Sequence, residues 1–198
     1  SEFVMTRAQT LLLAHASIVS GPGDAIKASL LQTDAELMAD PTVHSQRSGT
    51  TAVVVLLCKN QLWVGNVGDS RAVLGTLDAA GALVPHDLTI DHKPDDEDEM
   101  RRIHSVGGSC DIGGIVAPNG GNFLKCARSI GDAQYKWGPR ERHLICAEPE
   151  LFKIEIAPGD EFDVMASDGV WDVISDQKSV EIVAKALKEN DNACDQAA

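Results

Sequence analysis

The chain has 198 residues, of which 43% are apolar, and a formal net charge of −13. This length and apolar content predict one domain with a substantial core. The negative charge argues against nucleic acid or an anionic membrane surface as a partner. Five cysteines are an odd number without Cys-x-x-Cys spacing, and several lie in apolar runs, which favours reduced, buried thiols over disulfides or zinc. We therefore expect a cytoplasmic or nuclear protein.

The N-terminal part of the chain is predicted to form two helices. Residues 1–20 carry apolar side chains at helical spacing, and a Gly-Pro-Gly sequence then stops the pattern. A second helix is predicted from Asp24, a residue type favoured at helix N-caps, to the Asp-Pro pair at 40–41.

From Gly49 onward the pattern changes to that of a β-meander. Residues 50–58 form a nearly continuous β-branched and apolar run, which is typical of a strand covered on both faces. Further strands are predicted at 62–67 and 71–74, joined by the turn Gly68-Asp69-Ser70. Short strands with tight turns favour an antiparallel sheet.

The second half combines helices, loops and strands. Acidic residues at the front of 95–105 and arginines further on suit a helix, which a Gly-Gly pair ends. Residues 109–144 are rich in glycine and are predicted to be a mobile, loop-rich region with a short strand inside 124–132. The remaining predictions are strands at 144–147, 152–156 and 162–166 and a last helix over 176–188. Strands flanked by helices without βαβ alternation indicate an α+β fold, a sheet sandwich with helices outside.

A carboxylate stands at the end of the last predicted strand. Phe162, Val164 and Ala166 alternate with other residues, as in a strand with one face in a core. The Ser-Asp-Gly sequence that follows permits a sharp turn and would hold the Asp168 carboxylate at the exposed strand end. Such a carboxylate is a good ligand for Mg²⁺ or Mn²⁺, but Asp-Gly is also an ordinary turn signal. The segment alone leaves both interpretations open.

Six short motifs follow one another along the chain. They are Ser48-Gly49-Thr50-Thr51-Ala52, the run from Val64 to Leu74, the run from Leu88 to Pro94 with Glu99 and Arg102-Ile103 after it, Gly107-Gly108, the run from Ala127 to Asp132, and the run from Ala166 to Val173. In this order they resemble the metal-dependent protein serine/threonine phosphatases of the protein phosphatase 2C (PP2C) type. The resemblance extends over nearly the whole chain, and six motifs in family order are far more specific than any one of them.

The resemblance implies a PP2C-like antiparallel β-sandwich flanked by helix pairs, in four α-β-β-α layers. It also implies a Mg²⁺ or Mn²⁺ centre that activates water to hydrolyse phosphoserine or phosphothreonine in a protein substrate, without a protein nucleophile. Asp168 matches a principal metal ligand of the family, and Asp69 matches the aspartate that holds a third metal together with it. Asp172 matches an outer ligand of that same ion. Residues 109–144 fall where the family has a flap beside its active site.

The sequence also departs from the family pattern. It lacks an Asp-Gly-His-Gly-Gly motif, and with it the aspartate that bridges both catalytic metals and the histidine proposed as general acid. Asp191-Asn192 follows directly on a helix, so it does not match the family's closing Asp-Asn motif. We expect one PP2C-like domain over 1–198 that is incomplete at both termini, and an inactive 198-residue chain. Asp163 replaces an apolar residue of the family and must either face solvent or find a buried partner.

Two other functions stay open. The absent motif suggests a catalytically inactive PP2C-like regulatory or binding module. A plain α/β binding domain without metal would require six chance matches.

Several charged residues have structural interpretations beside the functional ones. Asp69 can form the local hydrogen bonds of its turn, and Asp172 can cap the turn that follows it. Arg128 and Asp132 are expected to form a structural ion pair at the base of the flap. His92 is expected to fix its own turn.

Overall fold

The computed structural model describes residues 1–43, 45, 47–111, 114–116 and 123–189, apart from the side chains of 111 and 116. Its helices are α1 (Glu2–Ala14), α2 (Pro22–Ala39), α3 (Glu97–Ser105), α4 (Asp168–Trp171) and α5 (Asp176–Glu189). Its strands are β1 (Gly49–Thr50), β2 (Ala52–Cys58), β3 (Gln61–Val67), β4 (Arg71–Leu77), β5 (Leu83–Asp87), β6 (Cys110–Asp111), β7 (Gly114–Val116), β8 (Phe123–Leu124), β9 (Ile130–Gly131), β10 (Glu150–Glu155) and β11 (Asp160–Ala166).

Two antiparallel sheets face each other as a sandwich. The first sheet has the order β10-β3-β2 and the second has the order β11-β4-β5. Buried aliphatic side chains from both sheets meet between them, together with one from the segment after β5: Leu62, Val64, Ala72, Leu74 and Leu88. The predicted antiparallel meander and sandwich are therefore confirmed.

Helices cover the outer face of each sheet. On the first sheet, α2 approaches β3 so closely that a Cβ at Gly65 would clash with Cγ2 of Ile26. On the second sheet, Val73, Trp171 and Val180 form a buried cluster, against which Phe162, Val164 and Ala166 of β11 pack. The alternation seen in the sequence of β11 therefore does mark one packed face.

The opposite face of β11 is open to solvent. Asp163 lies on this face of a strand at the edge of its sheet and is exposed. Of the two predicted environments for this aspartate, solvent is the one observed.

The segment between α3 and β10 carries a small core of its own. Strands β6, β7 and β8 form a separate antiparallel sheet, and the described side chains around it enclose buried apolar residues. This cluster consists of Ile103, Ile115, Ala127, Tyr135, Leu144 and Ile145. The region predicted as loop-rich is thus partly organised around α3.

The end of helix α1 and the start of helix α2 differ from the prediction. Helix α1 ends at Ala14, because Nδ1 of His15 accepts hydrogen bonds from the backbone N–H and the hydroxyl of Ser17 and so competes with helical pairing. Helix α2 begins at Pro22 rather than after an Asp24 cap, since proline suits the first helical position. Asp24 instead lies in the first turn, where its charge complements the helix dipole.

Two predicted strands also differ. The run at 50–58 breaks at Thr51 into β1, which pairs with β9, and β2, which lies at a sheet edge and leaves Leu57 61% exposed. A β-branched run indicates a strand but not whether that strand is central. Residues 144–147 form only one isolated bridge, because the Leu144 carbonyl accepts from the Arg102 side chain rather than from a neighbouring strand.

Neither a membrane-spanning helix nor a disulfide is present among the described residues. No described helix combines the length and apolar character needed to cross a membrane. All four described cysteines are free thiols, as expected, although only Cys126 is buried. Cys194 and the Asp191-Asn192 pair lie outside the described residues.

Candidate functional site

Asp69 and Asp168 extend from the same end of the second sheet. Where β4 pairs with β11, Arg71 lies opposite Ala166. Asp69 precedes Arg71 by two residues and Asp168 follows Ala166 by two, so both leave the sheet at this end. Two of the three predicted metal ligands thus lie just beyond the paired ends of neighbouring strands.

The turn that carries Asp69 is held from behind by the loop after β5. Gly68 has a φ of +107°, and a Cβ there would clash with Cγ2 of Thr51, so only glycine fits. The Gly68 carbonyl accepts a hydrogen bond from the backbone N–H of His92 at 3.0 Å. These contacts leave Asp69 only 6% exposed.

His92 completes this support with its side chain. Its Nδ1 accepts a hydrogen bond from the Gly68 N–H at 3.1 Å, which leaves the ring proton on Nε2, 3.3 Å from Oε2 of Glu150. Burial, followed by the charge of Arg128, lowers the pKa of His92 to about 4. The ring is therefore neutral near neutral pH and fixes the turn, as the sequence predicted.

The buried carboxylate of Asp69 is paired with Lys93. The Lys93 ammonium donates a hydrogen bond to Oδ2 of Asp69 at 2.6 Å. Burial opposes the charge on Lys93, but the hydrogen bond and charge of Asp69 outweigh it and raise the pKa of the ammonium, with further contributions from Asp91 and Asp172. No local pattern in the sequence marks Lys93 as the partner of an aspartate 24 positions away.

Asp168 and Asp172 begin and follow the short helix α4. The indole N–H of Trp171 donates to the Ala166 carbonyl at 2.8 Å and ties this helix to the end of β11. Both aspartates are exposed, and neither carboxylate forms an ion pair with a described residue. Gly169 lies inside the helix rather than in the predicted turn, and Asp172 stands at the helix C-terminus, where it caps no following turn.

Arg71 connects the parts of this region. Its guanidinium donates to both carboxylate oxygens of Asp91 at 3.0 Å and to Asp176 at 2.7 Å. It also stacks over the Trp171 ring, 5.6 Å from the ring centroid. The hydrogen bonds that Arg71 donates to Asp91 are the main reason that the pKa of Arg71 lies above its usual value. The motif around Arg71 was visible in the sequence, but its partners were not.

The donor chemistry at this edge fits a hard divalent cation, since all three predicted ligands are carboxylates. However, too few of these carboxylates lie close together to surround a metal ion. Among the described residues, no three His, Cys, Asp or Glu side chains form a group that could hold a metal ion. Metal ligation by Asp69, Asp168 and Asp172 therefore stays a prediction.

Arg128 and Asp132 do not form the predicted ion pair. The Arg128 guanidinium instead binds Glu99, with Nε 2.8 Å from Oε1, and Arg102 binds the other oxygen of this 3% exposed carboxylate. Asp132 accepts a hydrogen bond from the Ser129 hydroxyl, and burial raises its pKa. Arg128 pairs with Glu99 because α3 brings this glutamate beside it, and the motif around Arg128 does not encode a contact between such distant segments.

An apolar groove of about 530 Å³ lies elsewhere, between α1 and β2. Its lining includes Val4, Leu12 and Val54, and it contains none of the three aspartates. We therefore place the candidate site at the strand ends rather than in this groove.

Comparison with known proteins agrees with this architecture. The chain matches the family described as Protein phosphatase 2C over residues 4–198. It is 40% identical to Protein phosphatase 2C homolog 2 of Aspergillus fumigatus over 166 aligned residues. The alignment covers 82% of this chain and 36% of that protein. It is 39% identical to Protein phosphatase 2C homolog 3 of Schizosaccharomyces pombe over 166 aligned residues, and this alignment covers 83% of this chain and 38% of that protein. The chain thus spans somewhat more than a third of the length of these relatives.

Solved structures share the fold. A serine-threonine phosphatase 2C from Toxoplasma gondii superposes with a TM-score of 0.78 at 23% identity, over 96% of this chain and 68% of that one. A sex determining protein of C. elegans superposes with a TM-score of 0.75 at 21% identity, over 98% and 47%. The α+β PP2C-like fold is therefore confirmed. The family match covers nearly all of the sequence, and the chain belongs to the protein phosphatase 2C family.

Proposed function

We propose that the natural protein carrying this chain is a metal-dependent protein serine/threonine phosphatase, in which Asp69, Asp168 and Asp172 help to hold Mg²⁺ or Mn²⁺. The proposal rests on one observation, that Asp69 and Asp168 leave the second sheet at the same end on the paired strands β4 and β11. Membership of the family supports the same activity. The substrate class is phosphoserine or phosphothreonine in a protein.

The charges at this edge explain why a phosphate would require an added cation. Lys93 is paired with Asp69, and Arg71 is paired with Asp91 and Asp176, so neither is free to neutralise a phosphate dianion. A bound Mg²⁺ or Mn²⁺ supplies that charge and lowers the pKa of its bound water.

The contribution of the chain itself is to hold carboxylates rigidly. Asp69 is fixed by the buried turn, and Asp168 by the hydrogen bond that ties α4 to β11. Carboxylates on regular elements keep a metal site more precisely than carboxylates on free loops.

The test is phosphate release from a phosphothreonine peptide by the natural protein in the presence of Mn²⁺. Asp168→Asn should lower kcat/KM by about 100-fold or more, because an amide is a far weaker metal ligand than a carboxylate. The control is Asp163→Asn, which alters an exposed aspartate on β11, the strand that leads to Asp168, and this variant should retain activity. Mn²⁺-independent turnover, or full activity of Asp168→Asn, would contradict the proposal. A protein that binds partners but releases no phosphate would instead be a PP2C-like binding module.

A further inference from the structure

Asp69 already has a cationic partner. A carboxylate that is 6% exposed is costly to bury without a compensating charge or hydrogen bond. In this structure the compensation comes from Lys93, whose ammonium lies 2.6 Å from Oδ2 of Asp69. Among the described residues, Lys93 is the one cation that forms an ion pair with this aspartate.

Lys93 is placed to move. Its side chain is 34% exposed, so the ammonium can reach water without unfolding the turn. A lysine carries its charge on a flexible four-carbon stem, which makes such a displacement easy compared with that of an arginine fork. The nearby Asp91 attracts the ammonium only at longer range, since its carboxylate forms its ion pair with Arg71 and no hydrogen bond joins it to Lys93.

We propose that Lys93 is an internal counter-ion of Asp69 and that a divalent cation binds at Asp69 only by displacing the Lys93 ammonium. The inference rests on the proposed role of Asp69 as a metal ligand. Its consequence is that the metal affinity of this position is the result of a competition between two cations for one carboxylate. The lysine keeps the buried aspartate compensated and, for the same reason, weakens its hold on the metal.

The competition can be measured directly as Mn²⁺ binding by titration calorimetry, with no activity assay. Lys93→Gln should bind Mn²⁺ about tenfold more tightly than the wild-type chain, because the metal no longer has to break an ion pair. Lys93→Arg keeps the positive charge and should show no such gain. Lys153→Gln is the matched control, since Lys153 forms an exposed ion pair with Glu155 and should leave Mn²⁺ binding unchanged.

A second variant assigns the effect to Asp69. If the lysine acts on this carboxylate, the gain from Lys93→Gln should vanish in a background that contains Asp69→Asn. A gain that persists there would place the effect elsewhere and overturn the inference. Mn²⁺ binding by Lys93→Gln that is no tighter than binding by the wild-type chain would also overturn the inference. The same holds if neither the wild-type chain nor Lys93→Gln binds Mn²⁺.

A measurement on the wild-type chain covers the case in which the variants fold poorly. Mg²⁺ should shift the ¹⁵N signal of the Lys93 ammonium along the same saturation curve as metal binding. A signal that stays in place at saturation would contradict the displacement. The calorimetric titration and the ¹⁵N signal are both independent of catalysis. A natural protein without phosphatase activity would therefore refute the proposed function, whereas these two measurements alone would decide the inference about Lys93.

Discussion

Nδ1 of His92 accepts a hydrogen bond from the backbone N–H of Gly68 at 3.1 Å. This contact joins the loop after β5 to the turn that carries Asp69. A protonated imidazole would have no lone pair on Nδ1 to accept that hydrogen bond, so the support of the turn depends on a neutral ring.

Acidification should therefore destabilise the fold through His92. Burial, and then the charge of Arg128, lower its pKa to about 4 in the folded chain. A histidine in an unfolded chain has a pKa of about 6.5. Between these two values the unfolded chain binds more protons than the folded chain, so the free energy of unfolding decreases as the pH is lowered, by up to about 3 kcal/mol. Urea denaturation at about pH 7 and at about pH 5 should show a larger loss in the free energy of unfolding for the wild-type chain than for His92→Gln.

Two carboxyls, the buried Asp132 and the partly exposed Glu150, act in the opposite direction. Burial raises the pKa of Glu150 and of Asp132, and the cost of keeping them charged is relieved as the pH falls. Asp132 is unchanged in His92→Gln, and the glutamine amide can donate to Glu150 as Nε2 of His92 does, so the difference between the two proteins reports mainly on the histidine. An equal loss in both would show that His92 does not titrate as expected.

Replacing Arg71 by lysine should loosen the link between the second sheet and the α4–α5 region. A lysine cannot keep two hydrogen bonds to Asp91, the contact with Asp176 and the stack on Trp171 at once. We expect Arg71→Lys to lower the free energy of unfolding by about 1–3 kcal/mol. Arg101→Lys, which alters an exposed pair with Asp98, should change it little. Equal effects of the two substitutions in urea denaturation would contradict the role of Arg71.

Glu99 should be among the most sensitive charged positions. It is 3% exposed and lies between Arg102 and Arg128, so Glu99→Gln would leave two partly buried cations without their counter-charge. The expected loss is about 3 kcal/mol in the free energy of unfolding. Glu97→Gln, an exposed change in the same helix, is the control and should stay within experimental error of wild type. A small loss for Glu99→Gln would mean that the two arginines find other partners.

The close approach of α2 to the first sheet can be tested at Gly65. Gly65→Ala should cost about 1–3 kcal/mol, because the new Cβ would clash with Cγ2 of Ile26. Gly169→Ala introduces a methyl that meets only Ser167 at an ordinary 3.5 Å and should cost nothing. In thermal or urea unfolding, combining Gly65→Ala with Ile26→Ala should cost less than the sum of the two single changes. Strict additivity would indicate that the two residues do not meet.

The sequence predicted the position of the candidate site at the level of strand ends. The hairpin turn around Asp69 and the strand that ends before Asp168 both have clear local signals, and the antiparallel pairing of β4 with β11 carries both aspartates to one edge. Local signals failed at Gly169, where a predicted turn is the start of a helix. They also failed at residues 144–147, where side-chain donors replace a strand partner.

The sequence by itself determined the longer helices and most of the sandwich strands and, for β11, which face is packed, because these follow from residue preferences and apolar spacing within a few positions. Only the tertiary structure decided which charges meet. Asp69 and Lys93 are 24 residues apart, Glu99 and Arg128 are 29 apart, and Arg71 and Asp176 are 105 apart. An ion pair depends on the final distance between two side chains, and that distance exists only after the sheets and helices have packed. Local patterns carry no record of it.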